Sequence, residues 1–300
     1  MFDLIIIGGG VAGMSAGIYA ARSGLKALII EKMGLAGQLS EINNIENYPG
    51  VMKTDGFTLA SEMEKQIKEL GVEVQYGEVT SIKIENSIKT VCTKNNEFQA
   101  KAVIIANGLE RRKLNCKGEK EFFGKGVFYC GICDGFFYRN KTVTVVGGGS
   151  SALTEALYLK DICEKVNIIH RRNEFRGEKI LVDKINESQN ITVYYSSVVK
   201  EITGDNIVKE IIIERDGSEE TLKTDGVLVS IGYIPQNEIF RDIISLDENG
   251  YIIVDSNFET TSKGIFAVGD TIKKDVRQIV TAASDGSVAA VKAAEYIQTL

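Results

Sequence analysis

FDLIIIGGGVAGMSAGIYAARSGLKALIIE, residues 2–31, is the stretch whose reading decides the fold. A short apolar run, Phe2 to Ile7, ends in Gly8-Gly9-Gly10-Val11-Ala12-Gly13, a G-x-G-x-x-G after a strand. A helical stretch, Met14 to Arg22, follows and stops at Ser23-Gly24; a second strand, Ala27 to Ile30, ends in Glu31. Glu31 stands 21 residues beyond Gly10, where an acid accepts hydrogen bonds from an adenosine ribose. The glycines let the backbone approach a pyrophosphate, and the helix start offers N–H donors with no partner inside the helix.

The pattern returns. Thr142 to Val146 runs into Gly147-Gly148-Gly149-Ser150-Ser151-Ala152, again ahead of a helix, Ala152 to Lys160. The next strand, Val166 to Ile169, leads to His170-Arg171-Arg172, and His170 lies 21 residues beyond Gly149. The acid of the first unit is thus replaced by a cationic run, with Arg176 close behind. Guanidinium groups bind a 2′-phosphate through paired hydrogen bonds, so this unit reads as a site for NADP(H) rather than NAD(H). A solvated basic turn is the plainer alternative.

Each unit continues alike. Short alternating strands (Val72 to Gln99; Ile191 to Leu222) precede an apolar strand that stops near glycine, Ala102 to Ala106 and Val227 to Ile231. Leu59, Met63, Ile67 and Leu70 have helical spacing before Gly71, which predicts a packing helix. Gly264 to Val268 forms one more strand, ending in Gly269-Asp270, and a helix is expected to begin near Ser284-Asp285-Gly286. That last piece completes the first unit, so the second is inserted into it. The expected fold is α/β, with two Rossmann-like domains of the three-layer ββα type. One spans residues 1–112 and 243–300; the other spans 113–242. The crossings near Arg112 and Arg241 would form a hinge.

Composition narrows the classes. Of 300 residues, 44 % are hydrophobic, 30 are glycine and only 2 are proline, which suits a globular α/β chain and not a disordered one. The net charge of -6 comes with no basic stripe, so nucleic acid is not an expected partner. No apolar run reaches the roughly 18 residues of a membrane span. The start reads as a strand and not as a leader peptide.

Five cysteines, Cys92, Cys116, Cys130, Cys133 and Cys163, are too few and odd in number for a secreted disulfide framework. A cytoplasmic protein with one close thiol pair is expected. Cys130-Gly131-Ile132-Cys133 supplies two zinc ligands where a structural site needs four. No second Cys-x-x-C exists and the single histidine sits in the cationic run, so no metal is expected. A redox pair, or a pair of structural thiols, remains.

With these pieces in order the chain closely resembles the low-molecular-weight, bacterial-type thioredoxin reductases. The matching stretches are GGGVAG at 8–13, Glu31, AGQL at 36–39, ENYPG at 46–50, CGICDG at 130–135 and GGGSSA at 147–152. HRRNEFR at 170–176, IGYIP at 231–235, VGD at 268–270 and RQIVTAASDG at 277–286 complete them. The resemblance implies FAD in the discontinuous domain, held by Gly8, Gly10, Gly13 and Glu31, with Gly37, Gln38 and Asn47 along its path. It places Gly269 and Asp270 at the ribityl or pyrophosphate region, and Arg277, Gln278 and Ile279 beside the isoalloxazine. NADPH would lie on Gly147, Gly149, Ser150, Ser151, His170, Arg171, Arg172 and Arg176. A homodimer, domain rotation and a separate thioredoxin as disulfide substrate are also implied. The chain departs from the family pattern at Gly131 (often Ala), Asn107 (often Thr) and Ser284 (often Gly); none of these removes a reacting group.

The chemistry implied is a relay from hydride to disulfide, with Cys133 as the flavin-proximal sulfur. Cys130 would leave as a thiolate and need a proton. Asp134 follows the pair directly and is the expected acid/base, its pKa raised by desolvation. Three other readings stay open: a reductase of another small carrier such as a glutaredoxin-like protein, a ferredoxin-dependent flavin thioredoxin reductase, and a non-enzymatic FAD-bound redox sensor. A ferredoxin-dependent chain is expected to have eroded GGGSSA and HRRNEFR; both are intact.

Overall fold

The computed structural model describes residues 1–42 and 45–300. Among the described residues six α-helices are formed: α1 Val11–Arg22, α2 Gly56–Glu69, α3 Gly131–Asp134, α4 Ser150–Lys160, α5 Lys179–Asn186 and α6 Ile279–Gln298. The chain divides into two compact units, Met1–Glu110 with Pro235–Leu300, and Arg111–Ile234.

The first unit is built on strand Phe2–Ile7. It pairs in parallel with Ala27–Glu31 on one side and with Glu97–Ile105 on the other, Ile5 facing both Leu28 and Val103. Glu73–Tyr76 extends the sheet beyond Ala27–Glu31. Strand Glu97–Ile105 is long enough to serve two neighbours. Its first half pairs antiparallel with Ile88–Thr93, and its second half pairs in parallel with Ile265–Ala267. A small antiparallel layer therefore branches from the parallel sheet, and Val79–Glu85 completes it.

Alternation of side chains along a strand sends neighbouring residues to opposite faces. Leu4, Ile6, Ile29 and Ile104 pack with α1, α2 and α6. Ile5, Ile7, Leu28, Val103 and Ile105 pack on the other face with Phe240, Ile244, Ile252 and Ile272. Helices α1 and α6 approach through small residues. A Cβ on Gly286 would lie 2.1 Å from the Ala12 carbonyl oxygen, and the Ser15 hydroxyl donates to the Ala283 carbonyl at 2.6 Å.

The second unit repeats the plan. Its parallel sheet runs Ile191–Tyr194, Lys165–Ile169, Thr142–Val146, Gly226–Val229 and Val127–Phe128. Helices α4 and α5 cover one face around Leu153, Ala156, Leu159 and Ile185. The antiparallel strands Ser197–Gly204, Val208–Arg215 and Ser218–Lys223 cover the other through Ile202, Val208, Ile211 and Ile213. This is the mixed α/β architecture expected. Among the described residues no helix is long and apolar enough to cross a membrane.

Three expectations shift in detail. Helix α1 begins at Val11 instead of Met14. Helix α6 begins at Ile279, well before Ser284, because Gln278 and Thr281 cap it reciprocally. The return to the first unit falls at 234/235 and not at 242/243. The reason for the last is burial: Phe240 is 1 % exposed within the first unit's core. Asn237 is also 1 % exposed. Its amide donates to the Gly250 and Thr271 carbonyls, and its Oδ1 accepts from the Thr271 hydroxyl at 2.8 Å. Replacing Asn237 by Leu strands these buried groups and is expected to destabilise the first unit by about 3 kcal/mol in urea unfolding. An unchanged midpoint would show that Asn237 does not hold this segment.

Candidate functional site: two glycine cradles and a disulfide turn

In each unit the glycines of the turn fall into two kinds. At the first position a side chain has no room. Gly8 has φ +103°, and a Cβ there would sit 2.4 Å from the Ala106 carbonyl oxygen; Gly147 would meet the Ser230 carbonyl oxygen at 2.2 Å. Gly13 lets α1 close on the preceding strand, since its Cβ would lie 1.9 Å from the Gly8 carbonyl oxygen. Ala152 holds the equivalent place in the second unit and is fully buried. Gly10 and Gly149 are different: a Cβ on either would meet nothing within 4 Å. These two N-cap positions are open, and neither α1 nor α4 has a side-chain cap or an acid in its first turn. Free N–H donors facing open space beside a glycine form a cradle that suits a pyrophosphate.

The residues expected around the first cradle stand at strand ends, in the turns that follow them and at the start of α6. Glu31 follows the neighbouring strand end, and its carboxylate accepts from Gly9 N at 2.6 Å and Met33 N at 2.9 Å. A carboxylate has about four acceptor positions, so capacity for a ribose remains. Gly37 opens the 3-10 turn Gly37–Glu41, and a Cβ on it would lie 3.5 Å from Gly10 Cα. The Gln38 amide donates to the Leu109 carbonyl at 3.0 Å. The Asn47 amide donates to the Gln278 side-chain oxygen at 3.2 Å, which joins two residues 231 apart in sequence. Arg277 lies over the Tyr251 ring, 4.4 Å from its centroid, and Ile279 begins α6.

Gly269 and Asp270 end the strand Ile265–Ala267 with its following residue, and Gly269 has φ +78°. Burial pushes the Asp270 carboxyl above the usual range, while the cations of Lys274 and Arg277 oppose the rise. Its Oδ1 is buried with no hydrogen-bond partner. An orphaned carboxylate oxygen beside an open glycine cradle fits a cofactor that carries hydroxyl donors.

In the second unit Arg171, Arg172 and Arg176 are all exposed, and none makes an ion pair among the described residues. Arg176 N donates to the Gly148 carbonyl at 2.8 Å, so the cationic loop is tied to the glycine turn. Ser150 Oγ accepts from Glu178 N at 3.1 Å, and Ser151 is exposed. His170 lies beneath the glycine turn. It is 7 % exposed, its ring lies where a Gly148 Cβ would be (2.2 Å from Nδ1), and its Nε2 pairs with the Glu174 carbonyl at 2.9 Å. Burial foremost, then the three arginines, lowers its pKa, so a neutral ring supports the turn from beneath.

Cys130 and Cys133 are joined by a disulfide, with Cα atoms 5.3 Å apart. The pair sits on α3, directly after strand Val127–Phe128, at the carboxyl end of the sheet where such folds bind ligands. Cys130 caps α3, its sulfur accepting from Cys133 N at 3.2 Å. Cys133 is exposed and Cys130 half-buried. Burial raises the Asp134 pKa and the Arg111 guanidinium partly opposes it, which is the direction expected of a proton donor. Gly131 is tight: a Cβ would lie 3.2 Å from Leu228 Cδ2, and its N–H donates to Glu155 at 3.1 Å. Phe136 and Phe137, 66 % and 71 % exposed, follow the turn.

Sequence reasoning missed several of these groups. Glu155 reaches the disulfide turn from α4. Glu119, 4 % exposed, accepts from Leu114 N, Asn115 N and the Tyr129 hydroxyl beside Cys130. Lys274 and Asp285 pair behind Asp270 at 2.8 Å. Glu155, Glu119 and Lys274 lie in no spaced motif, and Asp285 was read only as part of a helix start and of the stretch at 277–286. The exposed Phe136-Phe137 pair was legible as an apolar dipeptide after Cys-x-x-C-Asp-Gly, but its exposure was not.

Comparison with known proteins agrees with this arrangement. The chain is 39 % identical to the thioredoxin reductase of Peptoclostridium acidaminophilum, over 99 % of this chain and 98 % of that one. It is 39 % identical to the thioredoxin reductase of Listeria monocytogenes, over 100 % and 95 %. The solved structure of Lactococcus lactis thioredoxin reductase superposes with a TM-score of 0.90 at 39 % identity, covering all of both chains. That of T. acidophilum thioredoxin reductase gives 0.86 at 35 %, covering 98 % of each. The family model for pyridine nucleotide-disulphide oxidoreductases matches residues 2–286. With two glycine cradles and a disulfide on the second unit, the chain belongs to the pyridine nucleotide-disulphide oxidoreductase family.

Proposed function

We propose that this protein is an NADPH-dependent flavoprotein that reduces thioredoxin through FAD and the Cys130–Cys133 disulfide. The disulfide carries the reading: it stands on an exposed turn, with a desolvated carboxyl next in sequence. The unit Met1–Glu110 with Pro235–Leu300 is the FAD domain, and Arg111–Ile234 is the NADPH domain that bears the thiols. Gly8, Gly10, Gly13, Glu31, Gly37, Gln38, Asn47, Gly269, Asp270, Arg277, Gln278 and Ile279 hold the flavin. Gly147, Gly149, Ser150, Ser151, Arg171, Arg172 and Arg176 hold NADPH, with His170 beneath them. The protein works as a homodimer in the cytoplasm, a compartment where a dithiol stays reduced.

FAD, once bound, supplies the two-electron chemistry that links NADPH to a disulfide. The chain supplies the rest. Opening the Cys130–Cys133 bond leaves charge on Cys130 Sγ, which already accepts the Cys133 N–H. Asp134 delivers the proton to that sulfur. Its raised pKa keeps it protonated to a higher pH than an ordinary aspartate. The dithiol then reduces an outside disulfide by exchange: one thiolate attacks, a mixed disulfide forms, and the second thiol resolves it. Phe136 and Phe137 offer an apolar surface beside the exchanging sulfurs. The solved ferredoxin-flavin thioredoxin reductase of Clostridium acetobutylicum shares the fold at 29 % identity. The open Gly149 cradle and three exposed arginines favour NADPH as the donor here.

Steady-state assay with NADPH, NADH and thioredoxin tests the reading. NADPH is expected to exceed NADH by about 100-fold in kcat/KM, from paired charge-assisted bonds. Cys130→Ser should abolish thioredoxin reduction while flavin reduction by NADPH continues. Absence of turnover with any thioredoxin would overturn the reading. For Asp134→Asn, kcat should fall about 100-fold, the size of a lost general acid. In the native enzyme the rate should decline as pH rises through the raised Asp134 pKa, and in the variant that alkaline limb should vanish; a retained limb would assign the proton elsewhere.

The two kinds of glycine separate fold from ligand. Gly8→Ala, strained at positive φ, should destabilise the apoprotein by about 3 kcal/mol. Gly10→Ala should leave apoprotein stability within about 1 kcal/mol yet weaken FAD retention. Equal thermal shifts in the two variants would contradict the assignment of Gly10 to the ligand.

A further inference from the structure

Behind Asp270 lies a group of charges that the relay does not use. Lys274 is 14 % exposed and Asp285, on α6, is 11 % exposed; they pair at 2.8 Å. The same Asp285 oxygen accepts the N–H of Gly269 at 3.1 Å, so one carboxylate binds both the cation and the turn that carries Asp270. Lys274 Nζ is 3.8 Å from Asp270 Oδ1, the oxygen with no hydrogen-bond partner. The Asp270 side chain as a whole is 29 % exposed, so its remaining surface faces outward. Lys274 therefore stands between two carboxylates. It is hydrogen-bonded to the inner one and electrostatically coupled to the outer one.

We propose that Lys274, held in place by Asp285, is a positioning residue that keeps Asp270 ionised as an acceptor for hydroxyl groups of the bound flavin cofactor. The inference rests on the reading of the first unit as the FAD domain. A buried carboxylate without a counter-charge protonates, and a protonated carboxyl loses acceptor capacity. The charged groups that act on Asp270 are Lys274 and Arg277, which favour its anion, and Asp285, which opposes it. Arg277 is committed elsewhere: its Nε donates to the Asp270 backbone carbonyl, and its plane lies over Tyr251. Lys274 is therefore the cation aimed at the Asp270 carboxylate. Asp285 performs a second task by pinning Gly269 N, which fixes where Asp270 points.

The test is FAD binding by the full-length apoprotein from pH 8 to pH 6, read by visible absorbance of retained flavin after ultrafiltration. The variants are Lys274→Arg, and Lys274→Met combined with Asp285→Asn, which removes both members of the Lys274–Asp285 pair together and leaves Asp270 without the lysine. Wild type and Lys274→Arg should bind with nearly constant affinity. The double variant should bind close to wild type at pH 8 and lose about tenfold in affinity by pH 6, the size expected for a weakened bond to a charged acceptor. Affinity lowered equally at every pH would show a purely structural clamp and overturn the proposal, as would a double variant that matches wild type throughout. Failure of wild type itself to bind FAD would overturn the flavin reading, and this inference with it.

Discussion

In each unit the glycine turn from strand into helix rests on a backbone approach that only glycine allows. In the first unit Gly13 brings α1 against the carbonyl of Gly8, and Gly8 rests on the carbonyl of Ala106. Gly147 does the same against Ser230. A Cβ at these places would overlap carbonyl oxygens, so the helix could not start where it does. With the helix start fixed at the strand end, its first N–H groups and the open Gly10 or Gly149 position face outward together. The cradles, and the residues gathered around them, depend on that contact.

Desolvation then sets the chemistry within each unit. In the second unit, burial raises the pKa of Asp134 beside the thiol pair and leaves His170 neutral beneath the cationic loop. In the first unit, burial raises the pKa of Asp270, and Lys274 offsets it from behind. The two aspartates share one cause, burial, and differ in their surroundings. What separates them is the company each keeps. The Arg111 guanidinium opposes the rise at Asp134, whereas at Asp270 two cations oppose it and a second carboxylate adds to it.

Much of the fold was legible because its signals are local. A glycine turn is a backbone requirement written in neighbouring residues, and apolar runs of strand length report a buried parallel sheet. The Cys130–Cys133 spacing also lies within one turn of chain. The segment near Asn237 was less legible. Arg241 looked like a crossing point, yet Phe240 and Asn237 are buried one and four residues earlier, with partners at Gly250 and Thr271. Helix α6 was placed too late because Ser284-Asp285-Gly286 resembles a helix start. Its real cap is Gln278 with Thr281, and Gly286 serves helix–helix contact instead.

The sequence by itself determined the two nucleotide-binding units, their nested order, the disulfide pair and the acid that follows it. Each of these is a short-range pattern, set by backbone sterics or by residues within a few positions of one another. Only the tertiary structure decided that His170 is buried against the glycine turn, that Asn47 bonds to Gln278, and that Lys274 and Asp285 stand behind Asp270. Those roles arise when chain segments far apart are packed together and water is removed. Hydrogen bonding and charge pairing across such distances obey no sequence period.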